Sequence, residues 1–276
     1  MSGSVPRVAS ATVRRRPFVV LLAVLMSTAL AGNLIAMSAS ARPAVPPPAA
    51  GAAATHLWPV SAPYSAAPLP SVNSATGLGA SRAPMLAINA SRGAVALTFD
   101  DGPDPRFTPH VLALLARYHV HATFCVVGIH AEEYPWLVRA IVKGGNALCN
   151  HTYNHDEHIG RQTLAQITAD LRRTDAAIVA ATGQRPRYFR APAGKWTPTL
   201  IAAANAEGMV PLGWSADPRD WARPGVPSIV STALTELRPG GILLMHDGFG
   251  HREQSVAALN LLLPAFAARR MHPVRL

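Results

Sequence analysis

The chain has 276 residues, 49% of them hydrophobic and 14% charged, and residues 91–276 alone suffice for one well-buried domain without internal repeats. The formal charge of +10 is unevenly placed: Arg7, Arg14, Arg15 and Arg16 fall in the first 41 residues, and no Asp or Glu precedes Asp100. No basic stripe interleaved with aromatics is present, so the charge suits an anionic wall or membrane face and argues against a nucleic-acid partner.

The first 41 residues follow a targeting pattern. Three arginines precede an apolar run over 18–37, and Ala39-Ser40-Ala41 follows as a small-residue cleavage site. Arg15-Arg16 also allows a twin-arginine signal. The run approaches the ~20 residues of a spanning helix, so a retained membrane anchor stays open beside a cleaved signal peptide. Both readings make the remainder an exported protein. Residues 42–90 are rich in Ala, Pro and Ser and include Pro46-Pro47-Pro48, which predicts a semi-extended linker, disordered rather than packed.

From residue 91 strands and helices alternate. A buried strand, Val95-Ala96-Leu97-Thr98-Phe99, runs into Asp100-Asp101-Gly102-Pro103. Helical spacing follows over 107–118, a strand over 122–127, a helix over 135–143 closed by Gly144-Gly145, and a strand over 147–149. A long amphipathic helix spans 163–181, with Gly183 at its C-terminal cap. Tyr188-Phe189 opens a fourth strand, then come a helix over 197–207, a strand over 209–214, a helix over 229–237, a strand over 241–245 and a helix over 255–268. This alternation predicts an α/β fold with a mostly parallel sheet or barrel.

Chemistry-bearing residues follow the strands. Asp100 and Asp101 follow the first, His151 and His155 the third, Arg190 the fourth, Asp217 and Asp220 the fifth and His246 the sixth. Each alone has an ordinary reading: a turn, a surface arginine, a loop cap, a core histidine. Together, in this order, they would meet at the carboxyl-end rim of the sheet. Two histidines and one carboxylate suit Zn²⁺ or another divalent transition metal. A second carboxylate beside them can act as general base, an Arg can aim it, and a His backed by a carboxylate can protonate the leaving group. That is an apparatus for metal-assisted hydrolysis of an acyl bond.

The motifs Thr98-Phe99-Asp100-Asp101-Gly102, His151-Thr152-Tyr153-Asn154-His155, Arg190-Ala191-Pro192-Ala193-Gly194, Asp217-Pro218-Arg219-Asp220-Trp221 and Leu244-Met245-His246 resemble, in order, those of the polysaccharide deacetylases, carbohydrate esterase family four. The resemblance covers essentially all of residues 91–276. It implies a distorted (β/α) barrel. Asp100 would be the general base, Asp101, His151 and His155 the metal ligands, Arg190 the residue orienting Asp100, and His246 the general acid tuned by Asp220. Pro192, Ala193, Trp221 and Leu244 would line the substrate pocket, and a backbone N–H of the 191–195 loop would stabilise the oxyanion. The implied substrate is a glycan, peptidoglycan or chitin fragments, from whose N-acetylated sugars acetyl is removed to give acetate and a free amine, and the enzyme is expected to be a monomer. An O-acetyl esterase acting on xylan and a catalytically silent glycan-binding protein are the alternatives. Many members carry an aromatic where this chain has Ala193; Lys195 or Trp196 could fill that space, and Trp196 reads equally as a core residue.

Cys125 and Cys149, the two cysteines, fall on the second and third strands. In an exported protein they favour a disulfide over two buried thiols, subject to register.

Overall fold

The computed structural model describes residues 83–89 and 91–276. The signal or anchor expected over 1–41 lies outside the described residues, as does most of the expected linker. Among the described residues no helix is long and apolar enough to cross a membrane.

Among the described residues the α-helices and strands follow in the order β1 (Ala94–Asp100), α1 (Thr108–Arg117), β2 (Thr123–Val126), α2 (Gly128–Glu133), α3 (Pro135–Lys143), β3 (Ala147–Asn150), α4 (Leu164–Thr182), β4 (Tyr188–Phe189), α5 (Pro198–Ala206), β5 (Val210–Pro211), α6 (Val226–Glu236), β6 (Ile242–His246), α7 (Glu253–Ala268) and β7 (His272–Val274). The strands form one parallel sheet in the order β5-β4-β3-β2-β1-β6, with β7 added at the start of β1. Beyond β5 the chain returns to β6: Ser215 and Ala216 N–H donate to Ile242 O, and Leu244 N–H donates to Ala216 O. The sheet thereby bends round into the distorted barrel expected. Residues 83–89, inside the expected linker, belong to this body. Met85 N–H donates to Pro211 O and Ile88 N–H to Gly240 O, so the segment laces β5 to the approach of β6.

Side-chain alternation divides the strands into two faces. Val95, Leu97 and Phe99 of β1, Phe124 and Val126 of β2, and Leu243 and Met245 of β6 join the large core under the helices. Ala96, Cys125, Cys149 and Ile242 form a smaller interior cluster with Tyr188 and Trp214 packed on it. Continuing that interior parity along each strand reaches Asp100, His151, Arg190 and His246. Register sets their levels: Asp100 is level with Cys125 and with His246, and Cys149 is level with Cys125 and Tyr188. Cys125 and Cys149 are thus cross-strand partners, and they are disulfide-bonded.

The helices follow their sequence signals. α4 starts with a capping box, in which Thr163 Oγ1 accepts from Gln166 N–H and the Gln166 side chain accepts from Thr163 N–H, and it ends at Gly183 with φ 73°. α6 starts at Val226, before the expected Ile229, because Pro227 occupies its first turn. β5 keeps two residues of the expected six: Pro211 lacks an N–H, and the carbonyls of Leu212 and Gly213 accept from Arg190. α2 and β7 were not expected, being too short to establish a period.

Replacing the cap of α4 by Thr163→Ala should lower stability by about 1 kcal/mol, read as a fall in the urea midpoint at unchanged slope.

Candidate active site

The site starts from a charge inside the barrel. Arg190, directly after β4, has no exposed surface. Its Nη1 donates to Asp100 Oδ1 at 2.7 Å and to Thr98 Oγ1 at 2.8 Å, its Nε to Leu212 O and its Nη2 to Gly213 O. This fixes one oxygen of Asp100 at the end of β1. The other, Oδ2, lies 3.7 Å from His151 Nε2.

Asp101 turns out of the strand with φ 75°. Its Oδ1 is buried without a hydrogen-bond donor, and His155 Nε2 and His151 Nε2 stand 3.3 and 3.5 Å from it. His151 Nδ1–H donates to Arg190 O at 2.8 Å, which fixes the tautomer with the Nε2 lone pair facing Asp101. The ligand atoms of Asp101, His151 and His155 all lie within 4.8 Å of one another. An orphaned carboxylate oxygen facing two imidazole nitrogens is a donor set that fits Zn²⁺ or a similar divalent ion. Burial alone would raise the Asp101 pKa, but the adjacent His151, with the charges of His246 and His155, brings it down to about 2. Burial also works against charging His151, and the Asp100 and Asp101 carboxylates outweigh it, raising that pKa. Burial and the neighbouring His151 lower that of His155.

His246 ends β6. Its Nδ1–H donates to Asp220 Oδ1 at 2.7 Å and its backbone N–H to Asp220 Oδ2 at 3.0 Å, and the Ser255 hydroxyl donates to the same Oδ2 at 2.6 Å. Asp220 is fully buried with these donors. Burial disfavours the imidazolium, yet the Asp220 charge and hydrogen bond raise the His246 pKa to about 9. His246 therefore holds its proton at neutral pH, as a general acid must.

All five residues, Asp100, Asp101, His151, His155 and His246, line one cavity of about 420 Å³. Leu244, Trp221 and Ala193 line it too, with Trp221 45% exposed at the mouth. Pro192 does not: it is buried under its loop, where it opens the turn that sets Ala193 at φ 51°. Neither Lys195 nor Trp196 fills the room beside Ala193. Lys195 pairs with Glu157 at the rim, and Trp196 packs edge-on against Phe189 in a separate core cluster.

Trp214 lines the cavity instead, lying where any Cβ on Gly194 would collide. The sequence marked Trp214 only as the end of a strand. It gave no role to Arg252, buried and 3.6 Å from Asp101 Oδ2, or to Ser255. Asp247 was visible as a strand-end residue without a function. It is buried beneath Gly102, accepts from the Thr108 hydroxyl, and burial pushes its pKa up to about 7.

Removing one member of the Arg190–Asp100 pair leaves the other charge buried alone. Arg190→Met should cost about 3–5 kcal/mol in urea unfolding. Asp220→Asn removes the charge that raises His246. In metal-free protein, the imidazole titration followed by NMR should move from about 9 in the wild type down toward the ordinary 6.5.

Comparison with known proteins agrees with this geometry. The family model described as polysaccharide deacetylase matches residues 87–212. A chitooligosaccharide deacetylase from Bradyrhizobium sp. (strain ANU 289) is 39% identical over 211 residues, 69% of this chain and 96% of that protein. A peptidoglycan-N-acetylglucosamine deacetylase from Bacillus cereus is 39% identical over 174 residues, 62% of this chain and 80% of that protein. The crystal structure of a family 4 carbohydrate esterase from Streptomyces lividans in complex with acetate superimposes with a TM-score of 0.61 at 33% identity, covering 66% of this chain and 91% of that one. By its five strand-end motifs, its bent parallel sheet and these relatives, the chain belongs to the polysaccharide deacetylase family.

Proposed function

We propose that this chain is an exported, metal-dependent N-deacetylase of N-acetylglucosamine-containing glycans, of the chitooligosaccharide or peptidoglycan kind. The observation that carries the reading is one cavity lined by a fixed carboxylate, a three-residue metal-ligand set and a protonated histidine. The names of the relatives support an acetamide as the bond broken. The targeting pattern of residues 1–41 supports export, with a cleaved leader and a retained anchor equally compatible.

Asp101, His151 and His155 would hold the ion, which when bound supplies Lewis-acid polarisation of the acetyl carbonyl and acidifies water. Asp100, aimed by Arg190, takes the proton of the attacking water as its oxygen bonds to the carbonyl carbon. Electron density then gathers on the carbonyl oxygen. Gly194, Lys195 and Trp196 give their amides to carbonyls within the 191–196 turn, and Ala193 lines the cavity wall. A backbone N–H of the 191–195 loop would serve as the oxyanion donor. Leu244 and Trp221 offer the acetyl methyl an apolar wall. His246 passes its proton to the departing nitrogen as the C–N bond breaks, and Asp220 keeps the imidazolium aligned. The products are acetate and a free amine.

Acetate release from chitopentaose or peptidoglycan tests this directly. We expect activity that a chelator abolishes and Zn²⁺ restores, and a fall in kcat of about 10²- to 10⁴-fold in Asp100→Asn. Release from acetylxylan alone would make the chain an O-acetyl esterase. Wild-type turnover no faster than that of Asp100→Asn on every substrate would make it a silent glycan-binding scaffold.

A further inference from the structure

The two histidines of the metal-ligand set are held differently. His151 is fixed through its far nitrogen by the Arg190 carbonyl. His155 has no such bond among the described residues. Its Nε2 faces Asp101, its side chain is 21% exposed, and two rings bracket it: His151 at 5.0 Å between centroids and Phe249 at 5.3 Å. An imidazole without a hydrogen bond at its far nitrogen is free to turn about its terminal torsion unless packing stops it.

Phe249 supplies the second of these rings. It lies in the loop beyond β6, three residues after His246, with φ 45° and 39% of its surface exposed. A bulky residue in the left-handed region, with an exposed aromatic ring, carries strain and exposure that the core does not need. Its ring packs on His130 at 4.7 Å, and His130 Nδ1–H donates to the carbonyl of Asp101 at 3.0 Å. Gly248, the preceding residue, lies so close to that carbonyl that a Cβ there would strike it. The loop thus rests on the backbone of one ligand and sets Phe249 against the ring of another.

We propose that Phe249 is a positioning residue: wedged between His130 and His155, it fixes the His155 imidazole toward Asp101 and so sets the affinity of the metal site. This rests on the reading of Asp101, His151 and His155 as ligands. It also makes the loop that follows the acid strand a support for the metal side of the cavity.

Competition between the metal-free full chain and a chromogenic chelator for Zn²⁺ measures this without recourse to turnover. Phe249→Ala should weaken Zn²⁺ by about 10- to 100-fold, the usual loss when the support of a ligand is removed, and alter the visible spectrum of the Co²⁺ form. Phe249→Tyr keeps the ring and should stay within about threefold of wild type. Trp136→Ala, which removes an exposed aromatic on α3, should change nothing. The metal-free unfolding midpoint of Phe249→Ala should match wild type, separating lost positioning from lost fold. Unchanged affinity in Phe249→Ala, or an equal loss in Phe249→Tyr, overturns the proposal while leaving the metal site intact. Wild-type affinity in His155→Ala, or no binding by the wild type, removes the site and both readings with it.

Discussion

A guanidinium sealed inside a barrel is the constraint on which the remaining architecture depends. An ion with no access to water is tolerable only when its donors are used, and Arg190 gives its N–H groups to Thr98, Asp100, Leu212 and Gly213. Those acceptors come from β1 and from the chain just past β5. One side chain therefore ties the centre of the sheet to its edge and ends the β5 ladder early. The same residue's backbone carbonyl receives His151 Nδ1–H. Asp100 and His151 are thus oriented from opposite ends of a single arginine.

Strand parity explains why the site forms at all. In a parallel sheet bent round on itself, alternate residues face the interior, and helices cover the other face. Ala96 and Ile242 pair low in the interior, and the bonded Cys125 and Cys149 stand level with Asp100 and His246. Asp100, His151, Arg190 and His246 stand at or just past the carboxyl ends of their strands. Crossovers return every strand in the same direction, so all these residues fall at one rim.

The electrostatics then divide two imidazoles into two roles. His246 sees Asp220 at hydrogen-bonding distance and keeps a proton to about 9. His155 is desolvated beside a second imidazole, and its pKa falls, which leaves its lone pair available. Nearby lie the buried Asp247, raised to about 7, and the buried Arg252 against Asp101.

The chain's lettering alone was enough for the strands and helices other than α2 and β7, the barrel class and the residues at each strand end, because period, caps and motifs are all local. Gly183 and Thr163 declared the ends of α4 through backbone needs that no distant contact alters. The folded structure decided everything that depends on which segments meet. Register alone brought Cys125 opposite Cys149. Closure alone made residues 83–89 part of the body and cut β5 short, since the partners of Met85 and Arg190 lie far away in the chain. Pro192 left the cavity and Trp214 entered it because a turn's direction follows from the dihedrals of its neighbours. Phe249 was likewise invisible beforehand: it is one aromatic in a loop, and its meaning comes from two histidines, His130 on α2 and His155 in the loop after β3, that reach it from separate parts of the chain.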